Sequence, residues 1–388
     1  MTSIALSRSK LYLTVELAPL VAGVTDCWAV LGYALNSSPQ PLQAAAIVVK
    51  LLLVLAGQKS AIRARHGVSF CLLFLGLLLF SDLLSAAHDA AVNLQVVAFF
   101  VSLYLTVILC AGVDRTADYL KTVSTFIALS AVIYLSLLAI GAIPTTSAGD
   151  RYFYFGGSHP NLGAETNAIA IVMACLAYSG FALVWRCVLL FPPIVLMQGR
   201  SAMITAALAI SLSILFAVVD RYKKSPRAVL ASLVVTVPAL VFLTANAVVR
   251  IVSSGLMLDD TYRGLGTGVV GRSHRWDQGW DLFVSHPLIG NGPAYYATNT
   301  VESAHDYFLY GLVLLGISFF IVIAMMTSHY MKIARQTPRA AAIFGSLLIL
   351  MIFNDRFVNL NIYPFGLYVL LLTLTASGAS AVKTPLLQ

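Results

Sequence analysis

Charge is what this chain has least of. Asp, Glu, Lys and Arg make up 10% of its 388 residues, against 59% hydrophobic residues and a mean hydropathy of +0.88. A soluble domain carries about 25% charged residues, so a water-covered globule is excluded. Cysteine is also scarce. The five (Cys27, Cys71, Cys110, Cys175, Cys187) all fall inside apolar runs without metal or redox spacing, and read as small buried hydrophobes. Soluble catalytic signatures are missing: there is no phosphate-binding glycine loop, no GxSxG elbow, no HExxH and no DxD-type metal motif. An enzyme built on this chain is expected to work without nucleotide, metal or other cofactor.

What is present is a succession of apolar runs of about 20 residues, each enough to cross ~30 Å of hydrocarbon. Spans are expected near 11–33, 41–57, 68–86, 92–112, 122–143, 163–180, 181–198, 201–219, 229–250, 305–327, 340–357 and 360–378. Little more than Ser179-Gly180 separates the sixth from the seventh. The chain therefore reads as an all-α polytopic membrane protein, residues 1–388 forming one integral domain of about twelve transmembrane helices. The first run carries Glu16 and Asp26 and lacks a small-residue cleavage site, so it reads as a retained span.

The formal charge of +8 points to topology, with no nucleic-acid partner implied. Lys and Arg gather in "QKSAIRARHG" (58–67), "VDRTADYLK" (113–121), "DRYKKSPRA" (220–228) and "SHYMKIARQTPRA" (328–340). The positive-inside rule makes these cytoplasmic, and with them both termini. The basic residues left outside are Arg151, Arg200, Arg250, Arg263, Arg272, Arg275 and Arg356. None is lysine. Arginine presents a planar donor fork that grips phosphate bidentately, so arginines on that face are candidates for an anion site, alongside helix-end and ion-pair roles.

Two outer loops are long, 144–162 and 251–304. The second, between the ninth and tenth spans, contains "GRSHRWDQGWDLFVSHPLIGNGP" (271–293). Trp276, Trp280 and Phe283 follow i, i+4, i+7 spacing, which predicts a short interfacial helix ended by His286-Pro287. Arg272 and Arg275 sit at its head. Arg200, in "LMQGRSAM", occupies a tight turn between two spans, where Gly199 supplies the turn, Ser201 is placed to cap the next helix, and a helix N-terminus favours an anion. Arg200, Arg272 and Arg275 form the expected diphosphate clamp. His305 and Asp306 stand where the tenth span begins, after Glu302. A histidine there has the right pKa range to take a proton from a hydroxyl, and Asp306 or Glu302 is placed to orient it. In "GGSHPNLGAETN" (156–167), His159 and Asn161 are further candidates to touch substrate, with Pro160 suited to a first helical turn.

"QGRSA" (198–202), "GRSHRWDQGWDLFVSHPLIGNGP" (271–293) and "AHDYFLYGLVLLGI" (304–317), taken in order, resemble the superfamily of O-antigen ligases and O-antigen or exopolysaccharide polymerases of bacterial inner membranes. The first 150 residues resemble it only in their spans. The resemblance implies a metal-independent glycosyltransferase acting on the periplasmic face. Its donor is an undecaprenyl-diphosphate-linked oligosaccharide, and its acceptor is a glycan or lipid A core. Other polysaccharide assembly proteins are expected partners, with the bilayer itself as surroundings. Carried over, Arg200 and Arg272 bind the diphosphate and His305 activates the acceptor hydroxyl. Asp306 departs from the family pattern, where Asn is common; its charge raises the basicity of His305 and repels phosphate. Polymerase and ligase both fit, with polymerase favoured. From another class, Glu16, Asp26, Lys50 and Asp82 inside spans suit a transporter or flippase of lipid-linked sugars.

Overall fold

The computed structural model describes residues 17–28, 39–56, 65–85, 89–110, 113–145, 151–155, 160–226, 270–298 and 306–352. Nearly all of them are helical. The helices are α1 (Leu17–Trp28), α2 (Pro39–Ala56), α3 (Arg65–Leu84), α4 (Ala90–Leu109), α5 (Val113–Ala139), α6 (Pro160–Ala177), α7 (Gly180–Leu196) and α8 (Arg200–Lys224). They continue as α9 (Val270–Ser285), α10 (Gly292–Thr298), α11 (Tyr307–Leu315), α12 (Phe319–Gln336), α13 (Pro338–Gly345) and α14 (Leu347–Ile352). The described residues contain no strand, only one bridge between Thr145 and Tyr152.

Four stretches are long and apolar enough to cross a membrane: Ala90–Leu109, Arg115–Ala139, Arg200–Lys224 and Tyr307–Gln336. Their outward faces stay apolar, with Leu94, Ile133, Ile214 and Phe320 more than half exposed, as a lipid-facing surface requires. The expected spans at 229–250 and 360–378 lie outside the described residues. The expected weak break at Ser179-Gly180 is real: Gly180 takes φ +57, a left-handed conformation that glycine adopts without a Cβ penalty. Proline opens α6, as its sequence predicted.

Three expected loops are helix instead. Residues 113–121 form the start of α5, 220–224 the end of α8, and 328–336 the end of α12. The basic residues there mark where a helix emerges from the apolar zone, not where it stops. Conversely, the expected tenth span is broken. Gly316 has φ 59 and ψ −149, so the chain turns through a 3-10 segment (Gly316–Ser318) between α11 and α12. Phe319 folds back over Gly311, where a Cβ would stand 2.3 Å from the ring.

α6 is the centre of the bundle. Every side chain in it except that of Asn161 is buried, and it packs against α5, α7, α8 and α13. Its second half, residues 168–177, is apolar on all sides, and such a helix belongs inside others. A second group joins α2, α3 and α4 to α10 and α11, while α9 lies along α11. A buried polar node ties the two groups together. The Lys50 ammonium pairs with Asp26 and donates to Ser102 Oγ at 3.0 Å. Asp26 Oδ2 accepts from Tyr119 at 2.8 Å and Thr106 at 3.2 Å. Four helices, α1, α2, α4 and α5, supply this closed set.

Candidate functional site

The candidate residues lie on two turns and two helix starts. The first is the α7–α8 turn. α7 ends at Leu196, Gln198 takes φ +52, and Arg200 is the first residue of α8. The left-handed residue is thus Gln198, not the glycine expected to make the turn. Gly199 is required for proximity: a Cβ there would lie 2.3 Å from Ala164 Cβ on α6. Ser201 sits inside the helix, and the N-cap position belongs to Gly199 without any side-chain cap bond. This corrects the capping role expected for Ser201. Arg151 fastens the turn from outside. Its Nε donates to Met197 O at 2.9 Å, and its Nη2 donates to Asn161 Oδ1. Asn161 and the Arg200 turn therefore belong to one knot, with Arg151, itself buried, as its strut.

The second turn, 286–291, follows α9, which ends at Ser285 one residue before His286-Pro287. Its glycines are where backbones meet. A Cβ on Gly290 (φ +80) would lie 2.4 Å from the Leu314 carbonyl, and one on Gly292 (φ +72) 2.7 Å from Asp82 Cα. Asn291 locks the turn to α11, its amide N donating to Val313 O at 2.8 Å and its Nδ2 to Leu282 O at 3.0 Å. Ile317 N donates to Pro287 O at 2.7 Å.

α3 supplies the other half of the grip. Ser81 Oγ stands 2.7 Å from Ile289 O and 2.6 Å from Leu314 O, so one hydroxyl proton serves two carbonyls. Asp82 Oδ1 accepts from Ala294 N at 3.0 Å, in the first turn of α10, and Oδ2 accepts from Asn93 Nδ2. Sequence reasoning missed Ser81, Asn93 and Asn291 as site-builders, and set Asp82 among transport residues. A buried acid in an apolar run was legible; its partner Ala294, 212 residues away, was not.

α9 carries Arg272 at its third position and Arg275 at its sixth, one turn apart, and lies along α11. α11 is capped by Asp306, whose Oδ1 accepts from the amides of Phe308 and Leu309, each at 2.8 Å. The carboxylate next to His305 thus satisfies the free N–H groups of its own helix. Burial pushes its pKa upward, and the two amide bonds pull the other way. Asp306 and Leu309 line an open cavity of about 320 Å³ together with Trp276, Asp277 and Trp280. His159, Glu302 and His305 lie outside the described residues. Arg275, Asp306 and the backbone of Arg272 are brought onto one pair of helices; Asn161 and Arg200 share the other knot.

Residues 185–322 match the model of a family described as O-antigen ligase. This segment belongs to the O-antigen ligase/polymerase superfamily. No curated protein and no solved structure matches the chain. The matched stretch runs from α7 into α12. It contains Arg200, Arg272, Arg275, Glu302, His305 and Asp306, and leaves out His159 and Asn161. Membership places the segment among proteins of glycan transfer of the ligase or polymerase type, and the apolar helices agree with the membrane setting that such transfer needs.

Proposed function

We propose that this chain is a glycosyltransferase of the bacterial inner membrane, acting on its periplasmic face without a metal. In this reading, about twelve spans hold both termini in the cytoplasm. The donor is an undecaprenyl-diphosphate-linked oligosaccharide and the acceptor is a sugar hydroxyl of a second lipid-linked repeat unit. The reading rests above all on the family match, which spans the arginine turn, the head of α9 and the start of α11.

The chemistry follows from the residues. His305 takes the proton of the acceptor hydroxyl, the oxygen attacks the anomeric carbon, and the bond from that carbon to the diphosphate oxygen breaks. The electron pair leaves with the diphosphate. Arg200, Arg272 and Arg275 neutralise the growing charge, the stabilisation that counts most when charge develops away from bulk water. Asp306 fixes the start of α11 and so the place of His305; Glu302 is the second orienting candidate. His159 and Asn161 contact the glycan from the α6 side.

A transfer assay tests this. Purified protein receives lipid-linked repeat units with and without lipid A core, beside His305→Ala and Arg200→Ala variants. A ladder of longer lipid-linked chains without core, lost in both variants, is the expected result. Transfer only when core is present makes the enzyme a ligase. Absence of transfer with the cognate substrate overturns the proposal in favour of transport or assembly.

A further inference from the structure

α9 has two chemically different sides. At about 100° per residue, Trp276, Asp277 and Trp280 share an arc of about 100°, all three lining the cavity at the start of α11. Arg275 projects outside that arc. The cavity wall combines two indoles, two carboxylates and the side chain of Leu309. Trp280 is 54% exposed and held at 5.3 Å from the ring of Phe283, so a large flat apolar face is kept open. Trp276 Nε1 is buried and has no hydrogen-bond partner, although a buried indole N–H ordinarily finds one. Both cap bonds of Asp306 end on Oδ1, which leaves the acceptor capacity of Oδ2 for something else.

Two kinds of molecule cover exposed tryptophans at a membrane surface. Lipid is one, since aromatic belts lie at headgroup level. Here the adjoining carboxylates of Asp277 and Asp306 repel a headgroup phosphate and gain nothing from an acyl chain. A sugar ring matches the wall better: its C–H face covers an indole while its hydroxyls donate to carboxylates and accept from an indole N–H. The volume lies at the lower end of ligand pockets, about 300–1,000 Å³, enough for a short glycan segment.

We propose that this cavity is the acceptor-glycan subsite: Trp280 and Trp276 stack on the sugar, and Asp277 and Asp306 receive its hydroxyls. The diphosphate is kept to the arginine side of α9. One helix then separates the two substrates by charge, and the acceptor lies next to the residue that begins α11. This assignment rests on the glycan-transfer reading above.

The test separates the two. Full-length protein in nanodiscs is titrated calorimetrically with two probes. One is a phosphate-free, lipid-free oligosaccharide cut from the host's own surface polysaccharide; the other is farnesyl diphosphate, which carries no sugar. Trp280→Ala and Asp277→Asn are expected to weaken oligosaccharide binding at least tenfold and leave farnesyl diphosphate binding unchanged, with Trp280→Phe retaining most of the affinity. The proposal is overturned if the wild type does not bind the oligosaccharide. It is also overturned if both probes weaken equally, or if Trp280→Ala alters only association with anionic vesicles. In the transfer assay, an acceptor KM unmoved by Trp280→Ala sinks the subsite while the glycosyltransferase reading stands. Binding without any transfer sinks that reading, and with it the acceptor role, while the cavity stands as a glycan-binding site.

Discussion

The buried node around Asp26 and Lys50 and the candidate site around Asp306 use polar side chains to opposite ends. In the node every group faces another from the same chain: an ammonium, a carboxylate, a phenol and two hydroxyls close on themselves. Arg186 behaves the same way, donating to Thr125 Oγ1 at 2.8 Å and Ala182 O at 2.6 Å over the ring of Tyr178. At the candidate site, Trp276 Nε1 lacks a partner and Trp280 stays open. An ionisable residue in an apolar run signals function by default. Here the geometry separates groups already partnered within the protein from groups available to a ligand. Of the residues that suited a transporter, Asp26, Lys50 and Asp82 belong to the partnered kind, and Glu16 lies outside the described residues.

The comparison can be broken most forcefully at Lys50. Lys50→Met leaves Asp26 buried without its cation, a change that costs about 3–5 kcal/mol. A large fall in the melting temperature of the purified protein is expected, with transfer per folded molecule retained. An unchanged melting point with transfer abolished would make the node functional and erase the distinction.

Gly290→Ala comes next. It forces a left-handed residue that costs about 1–3 kcal/mol and drives a methyl into the Leu314 carbonyl. Transfer should fall much further than stability, because the turn that spaces α9 from α11 shifts; equal losses would show the turn to be mere packing.

Asp306→Ala removes a helix cap worth about 1 kcal/mol, whereas Asp306→Asn keeps one. Thermal unfolding of the two variants should separate them by about that amount, Asn matching the wild type most closely at low pH, where Asp306 is protonated. The smallest effect is its pH dependence. Burial raises the folded-state pKa of Asp306 above the ordinary 3.8. Its contribution is therefore fully present below that value and fades as pH rises through the folded pKa. Asp306→Asn should lack this component in a melting series from pH 3.5 upward; identical slopes in both proteins would contradict the burial argument.

Much of the fold was legible because apolar runs declare themselves. Their ends were not. Hydropathy reports where a helix lies in hydrocarbon, and α5, α8 and α12 continue past it on basic residues. The break at Gly316 looked like any other glycine in an apolar run, since nothing local distinguishes a left-handed conformation there. At the site, the i, i+4 spacing of Trp276 and Trp280 predicted α9 and its end within a residue. Asp306 directly before an apolar run carried an N-cap signal, overshadowed by its neighbour His305. The grip of Ser81 and Asp82 was beyond sequence reasoning, because those partners come from opposite ends of the chain.

That grip also sets an order of events. Ser81 reaches Leu314 across 233 positions, and Asp82 reaches Ala294 across 212. At about 5–20 residues per second of synthesis, that separation lasts roughly 10–50 s. Throughout that interval the end of α3 must wait beside the membrane with a carboxylate whose second partner does not yet exist. Asn93, 11 residues away, arrives almost at once and holds one oxygen. The nascent chain thus has a placeholder built into its first half. The packing of α10 and α11 on α3 is finished only when these late segments dock there.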